Sequence, residues 1–199
     1  MSSPSTHLRQ ASVGIHLGAL FPLLLLLIDS LLGRLSVNPI QDLTLRTGQV
    51  ALILLLLSLS CTPLGRLTGW TWMVALRKPL GLYSFLYVSL HLLVFVGLDY
   101  GLDGLLISQA IAEKRYVLAG LVSFLLLLPL AATSTRAAQR RLGRWWRRLH
   151  WLVYPAAIAA LLHYLWLSKV ARVPILAAAL LLALLLLRIP LLRQRLRRR

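Results

Sequence analysis

Six stretches of nearly continuous hydrophobic residues, about 13–32, 48–64, 80–98, 116–132, 150–167 and 173–190, alternate with short polar connections. Each run approaches the roughly 20 residues that carry a helix across a hydrocarbon layer about 30 Å thick. The pattern predicts an all-α integral membrane protein, a six-transmembrane-helix bundle. The connections read as turns at a membrane surface: one holds Asn38 and Pro39, another Arg66, Arg77 and Lys78, and a third Asp99, Asp103 and Glu113. The first run follows a polar start with Arg9 and lacks a small-residue cleavage pattern, so it is expected to be a retained span. Six spans in 199 residues leave no length for a soluble domain, and residues 1–199 are expected to form one domain.

Composition agrees and adds orientation. Hydrophobic residues make up 59% of the chain and charged ones 14%, as expected of a protein dissolved in lipid. With alternate connections on opposite sides, sixteen lysines and arginines fall on the side of the two termini. The other six fall opposite, together with all five acids. Positive charge is retained inside, so both termini are expected in the cytoplasm. The net charge of +17 is then the mark of membrane insertion and does not point to nucleic acid. In the fourth connection Leu142, Trp145, Trp146 and Leu149 recur at helical spacing among Arg140, Arg141, Arg144, Arg147 and Arg148, which predicts a basic amphipathic helix at the interface. The arginines from 193 to 199 read as a topology signal, and Cys61, alone, as a small buried hydrophobe.

Against this background the histidines stand out, because an imidazole within a membrane is costly unless something binds it. His91 lies roughly 16 Å into the third span and His163 roughly 20 Å into the fifth, at matched depth in the outer half. His150 and His16 lie at the inner level, and His7 reads as a solvated terminal residue. Facing histidines on adjacent helices meet the basic need of a b-type haem, one or two axial nitrogens and an apolar slot, so His91, His163 and His150 are the candidate iron ligands. Opposite His150, Arg77 and His16 are equal candidates. On a straight helix the thirteen residues between His150 and His163 rotate them about 140° apart, and Pro155 between them is the expected site of a change in facing. Neither a phosphate-cradling glycine loop nor an internal repeat is evident, and Thr133, Ser134 and Thr135 read as a helix start.

Several segments carry a family likeness: Thr62-Pro63-Leu64; Arg77-Lys78-Pro79-Leu80-Gly81-Leu82 with Tyr87 and Leu90-His91; residues 129–136 (PLAATSTR); Leu142-Gly143 with Trp146, Leu149-His150 and Tyr154; and His163-Tyr164-Leu165-Trp166. In them the chain resembles the MsrQ or YedZ family. These are haem-binding membrane subunits of bacterial periplasmic methionine sulfoxide reductase systems, in the ferric-reductase-like transmembrane group that includes the NADPH oxidases. The resemblance implies haem b, one or two, an association with FMN, and electrons taken from the quinone pool or a cytoplasmic flavin reductase. It implies delivery to a periplasmic molybdopterin-containing subunit that reduces methionine sulfoxide in proteins, and residence in the bacterial inner membrane. It places His91 and His163 at haem-ligand positions, His150 at the further histidine of the fifth span and Arg77 at a basic position before the third. The third span carries one histidine where the oxidases have two, and no flavin or nicotinamide domain is appended. The expected role is an electron-transfer subunit without a substrate-reducing site of its own. The rival readings are a stand-alone ferric-type reductase and a cofactor-free transporter.

Overall fold

A computed structural model of the chain describes residues 4–168, 170 and 172–188, with side chains from Leu8 onward; the side chain of His7, Lys169 and the arginine-rich residues 189–199 lie outside them. The described chain is helical: α1 Pro4–Leu31, α2 Pro39–Leu67, α3 Met73–Leu93, α4 Gly104–Glu113, α5 Arg115–Ala132, α6 Arg136–Leu142, α7 Arg144–Leu149, α8 Val153–Leu167 and α9 Arg172–Leu186. Five stretches are long and apolar enough to cross a membrane: Leu8–Leu31, Pro39–Leu67, Met73–Asp99, Arg115–Ala132 and Arg144–Leu167. The protein is a multi-pass membrane protein. The sixth predicted span corresponds to α9, whose 15 residues reach about 22 Å, short of a crossing by themselves.

Local chemistry sets the helix ends. The Asn38 side chain accepts from the Gln41 amide, and Pro39 stands where a first-turn N–H would have no partner, so α2 starts there. Beyond α3 the chain passes through a π-helical turn, Val94–Asp99, before Gly101 and Leu102 adopt positive φ. The acidic connection expected after it is in fact the helix α4. Asp103 caps it by accepting from the Leu105 and Leu106 amides, and Asp99, Asp103 and Glu113 flank an apolar segment instead of filling a loop. The basic amphipathic segment is not continuous either. Gly143, at φ +49°, divides it into α6 and α7, so Leu142 and Trp145 do not share one helix. Thr135 accepts from the Ala138 amide and caps α6, so the Thr133–Thr135 segment is a helix boundary, as expected.

At the centre stands α2. Over half of its apolar window is buried within the protein, against 6% for α1, which therefore presents most of its surface to lipid. On one side of α2, Ala51, Leu54 and Cys61 pack with Ala19 of α1 and Leu76, Leu80 and Tyr87 of α3. On the other, Leu55, Leu56 and Leu59 pack with Leu127 and Leu130 of α5, Ala156, Ala157 and Leu161 of α8, and Leu181 and Leu184 of α9. Polar side chains lock the helices where no water is available. The Tyr87 hydroxyl donates to the Ala19 carbonyl at 2.7 Å, Ser84 to Ala51 at 2.8 Å, and Ser123 to Ala156 at 2.9 Å.

Candidate functional site

One end of the bundle brings together the two histidines predicted to lie at matched depth. The His91 and His163 rings have centroids 5.9 Å apart, with planes crossed at 88°. His91 reaches across to α2, where its Nδ1 lies 2.9 Å from the Thr44 carbonyl; His163 reaches to α5, with Nδ1 2.6 Å from the Tyr116 carbonyl. A carbonyl oxygen can only accept, so each Nδ1 carries the ring proton and each Nε2 keeps its lone pair. This is the tautomer of a metal-ligating histidine whose other nitrogen is held by a backbone carbonyl. Two imidazoles sharing one ion at about 2 Å per bond place their centres roughly 6 Å apart, so the observed spacing fits a shared ion. Among the described residues no three of His, Cys, Asp and Glu cluster as a metal site. An ion shared by the two rings would need further ligands, which a macrocycle such as haem would supply.

Glycines create the space for both rings. A Cβ on Gly48 would lie 3.1 Å from His91 Nδ1, and one on Gly120 would lie 2.8 Å from His163 Nδ1. Each glycine sits four residues after the carbonyl its histidine uses, Thr44 and Tyr116 respectively. That is the position whose Cβ, tilted toward the helix N-terminus, lies nearest that carbonyl. Both histidines stand 47 residues after their carbonyl partners. An offset of 72 positions carries Thr44, Gly48, Ala51, Ser84 and His91 onto Tyr116, Gly120, Ser123, Ala156 and His163. The α2–α3 and α5–α8 hairpins are therefore two copies of one arrangement, contrary to the expectation of no internal repeat. Even the buried serine bonds correspond, with the serine on the second helix of one hairpin and on the first helix of the other. The carbonyls and the glycines were missed in the sequence, where the repeated Gly-to-His interval of 43 residues was the available signal.

The level of His150 is built differently. His150 bonds through Nδ1 to the Trp146 carbonyl one turn earlier, at 3.1 Å, and its ring lies 4.0 Å from that of Trp146. Arg77 of α3 lies within electrostatic range of His150, while its own carbonyl accepts from Ser58 of α2. His16 is exposed on α1 and meets Tyr83, its Nδ1 2.8 Å from the hydroxyl. Arg77 thus acts electrostatically on His150, and His16 is engaged with Tyr83. Residues His150–Leu152 form a 3₁₀ turn that leads into α8, whose third residue, Pro155, cannot donate to the Trp151 carbonyl. The tighter turn adds about 20° per residue, reducing the offset between His150 and His163 from about 140° to about 80°.

Five long apolar helices and a crossed imidazole pair define a polytopic membrane protein of the ferric-reductase-like type, and the family described as "ferric reductase like transmembrane component" matches residues 45–161. Similar proteins include the "protein-methionine-sulfoxide reductase heme-binding subunit MsrQ" of Ralstonia nicotianae, 42% identical over 82% of this chain and 76% of the relative. The Deinococcus radiodurans subunit of that name is 44% identical over 86% and 85%, and that of Yersinia pseudotuberculosis is 41% identical over 94% and 93%. The chain belongs to the MsrQ family. No solved structure matches it.

Proposed function

We propose that this chain is the haem b electron-transfer subunit of a methionine sulfoxide reductase system of the bacterial inner membrane. It takes electrons from the quinone pool or a cytoplasmic flavin reductase and passes them to a periplasmic molybdenum-containing subunit that reduces methionine sulfoxide in proteins. The names of the relatives support haem binding and the reductase system, and the family resemblance supports the donor, the acceptor and an association with FMN, to which no residue is assigned. The observation that carries the reading is the outer pair: His91 and His163 stand 5.9 Å apart, each with Nδ1 on a backbone carbonyl and Nε2 free to bind iron.

In this reading His91 and His163 would hold an outer haem through their Nε2 atoms, and the haem would supply reversible one-electron chemistry there. The carbonyls of Thr44 and Tyr116 fix ring tautomer and orientation. His150 is the ligand of an inner haem, with Arg77 beside it as second ligand or propionate partner. His16, engaged with Tyr83, has the lesser claim. Six spans with both termini in the cytoplasm complete the topology, placing the His91–His163 level toward the periplasm.

The test is optical. Protein purified from haem-replete cells should show a reducible b-type band, and His91→Ala or His163→Ala should lose the outer haem while the protein remains inserted. A colourless wild type, or full haem content after both substitutions, would overturn the proposal. Reduction of iron chelates without the molybdenum subunit would favour a stand-alone ferric-type reductase.

A further inference from the structure

We propose that Gly48 and Gly120 are positioning residues that set the tautomer and seat of the two outer imidazoles, acting as equivalent members of the duplicated hairpins. The Thr44 and Tyr116 carbonyls lie within helices, where each already accepts from an amide four residues on, and those amides belong to Gly48 and Gly120. A slender hydroxyl can reach such a carbonyl past a side chain, as Ser84 reaches Ala51, but the broad imidazole rings here lie where a Cβ four residues on would stand. Glycine at both positions leaves that approach open, and the imidazole N–H uses it at 2.9 and 2.6 Å. One carbonyl thus serves two donors, the helix amide and the neighbouring helix's histidine.

Helix propensity alone argues against glycine in the middle of either helix, and neither has a positive φ that would require it. The requirement is the ring. An added Cβ at position 120 would approach Nδ1 to 2.8 Å, which forces His163 off its carbonyl. At position 48 the approach is 3.1 Å and the displacement smaller. Gly81 provides a contrast on α3: its Cβ would meet only Ser58 Oγ at 3.4 Å, an ordinary contact. The functional consequence of the two glycines rests on the haem reading, while the imidazole geometry does not.

Gly48→Ala, Gly120→Ala and the control Gly81→Ala are purified alongside the wild type with ¹⁵N-labelled histidine. Nitrogen chemical shifts report the tautomer with or without haem, and the low-spin EPR signature and haem retention report ligand seating. The wild type should show His91 and His163 as Nδ1–H tautomers. Gly120→Ala should shift the His163 signals, Gly48→Ala should shift those of His91, and each should weaken haem retention by about 10–100-fold, the range for losing a group that orients a metal ligand. Gly81→Ala should change neither. If both alanine variants keep the wild-type nitrogen shifts, the inference is overturned whatever the haem content. A wild type without haem defeats the proposed function, yet the nitrogen signals still decide the role of the glycines. Should Gly120→Ala fail to fold, the His91 signals of Gly48→Ala, with its milder overlap, decide between the two outcomes.

Discussion

Arg188 follows α9, near the end of the sixth apolar run, and its guanidinium folds back into the bundle. Nη2 donates to the Leu59 carbonyl at 2.6 Å, Nη1 donates to the Tyr154 hydroxyl, and the guanidinium carbon lies 5.1 Å from the centre of the Tyr154 ring. The reason lies four residues beyond Leu59. Pro63 has no N–H to offer that carbonyl and its ring presses against it, so α2 presents an unsatisfied acceptor in the apolar layer. A hydrogen bond from a charged donor contributes about 1.5–3 kcal/mol, and a cation over an aromatic face about 0.5–1 kcal/mol. Relief from holding a charge near the membrane offsets part of this, so Arg188→Met should cost about 2 kcal/mol. Pro63→Ala restores a backbone donor to Leu59, and in that background Arg188→Met should cost about 1 kcal/mol less, a coupling that a double-mutant cycle isolates. Unfolding in mixed detergent micelles, followed by tryptophan fluorescence, supplies the four stabilities. Additivity within about 0.3 kcal/mol would refute the idea that Arg188 serves the carbonyl that Pro63 exposes.

Tyr87→Phe keeps the ring in the core and removes the bond to Ala19, so it should destabilise the α1–α3 contact by about 1 kcal/mol in the same micelle assay. Ser84→Ala and Ser123→Ala should each cost about 1 kcal/mol and add when combined, because they share no partner and sit in different hairpins. A cytoplasm-active reporter fused after the last residue should be active and a periplasm-active one silent, as the excess of arginine on that side requires. The opposite pattern would invert the assignment of His91 and His163 to the outer level.

Much of this was legible in the chain because lipid leaves few choices. Long leucine-rich runs can only be helices, and a histidine within them must have a partner, so five of the six spans and the meeting of His91 with His163 could be read from residue type and depth. What escaped reading depends on the approach of backbones. Nothing in the hydrophobic pattern distinguishes Gly48 and Gly120 from other small residues in membrane helices; their meaning appears once the neighbouring helix delivers a ring onto the carbonyl. The α4 helix was obscured because acids were weighed as loop formers, although Asp103 serves as its cap. Gly143 interrupts a heptad-like pattern that looked continuous because periodicity does not register a positive φ. Arg188 counts among the basic residues on the side of the termini, and the missing amide of Pro63 explains its turn inward.

The repeat also explains why the two levels of the bundle differ. Moved back by 72 positions, His163 falls on His91, whereas His150 falls on Lys78, next to Arg77. An ammonium has no lone pair to offer a metal, so the duplicated unit provides two imidazoles at the level of His91 and His163 and one at the level of His150. The support beneath the rings differs in the same way. Each outer ring leans on the carbonyl of a neighbouring helix through a glycine gap, while His150 leans on the Trp146 carbonyl of its own chain segment, one turn away. Outer geometry is therefore set by how closely paired helices pack, and inner geometry by the break at His150–Leu152. A substitution that spreads α2 from α3, or α5 from α8, disturbs the outer pair first. One that straightens the passage from α7 into α8 turns His150 and leaves the outer pair in place. The single histidine on the third span, the point at which this chain departs from the oxidases it resembles, is thus a property of one hairpin copy whose inner position carries cationic side chains in place of an imidazole.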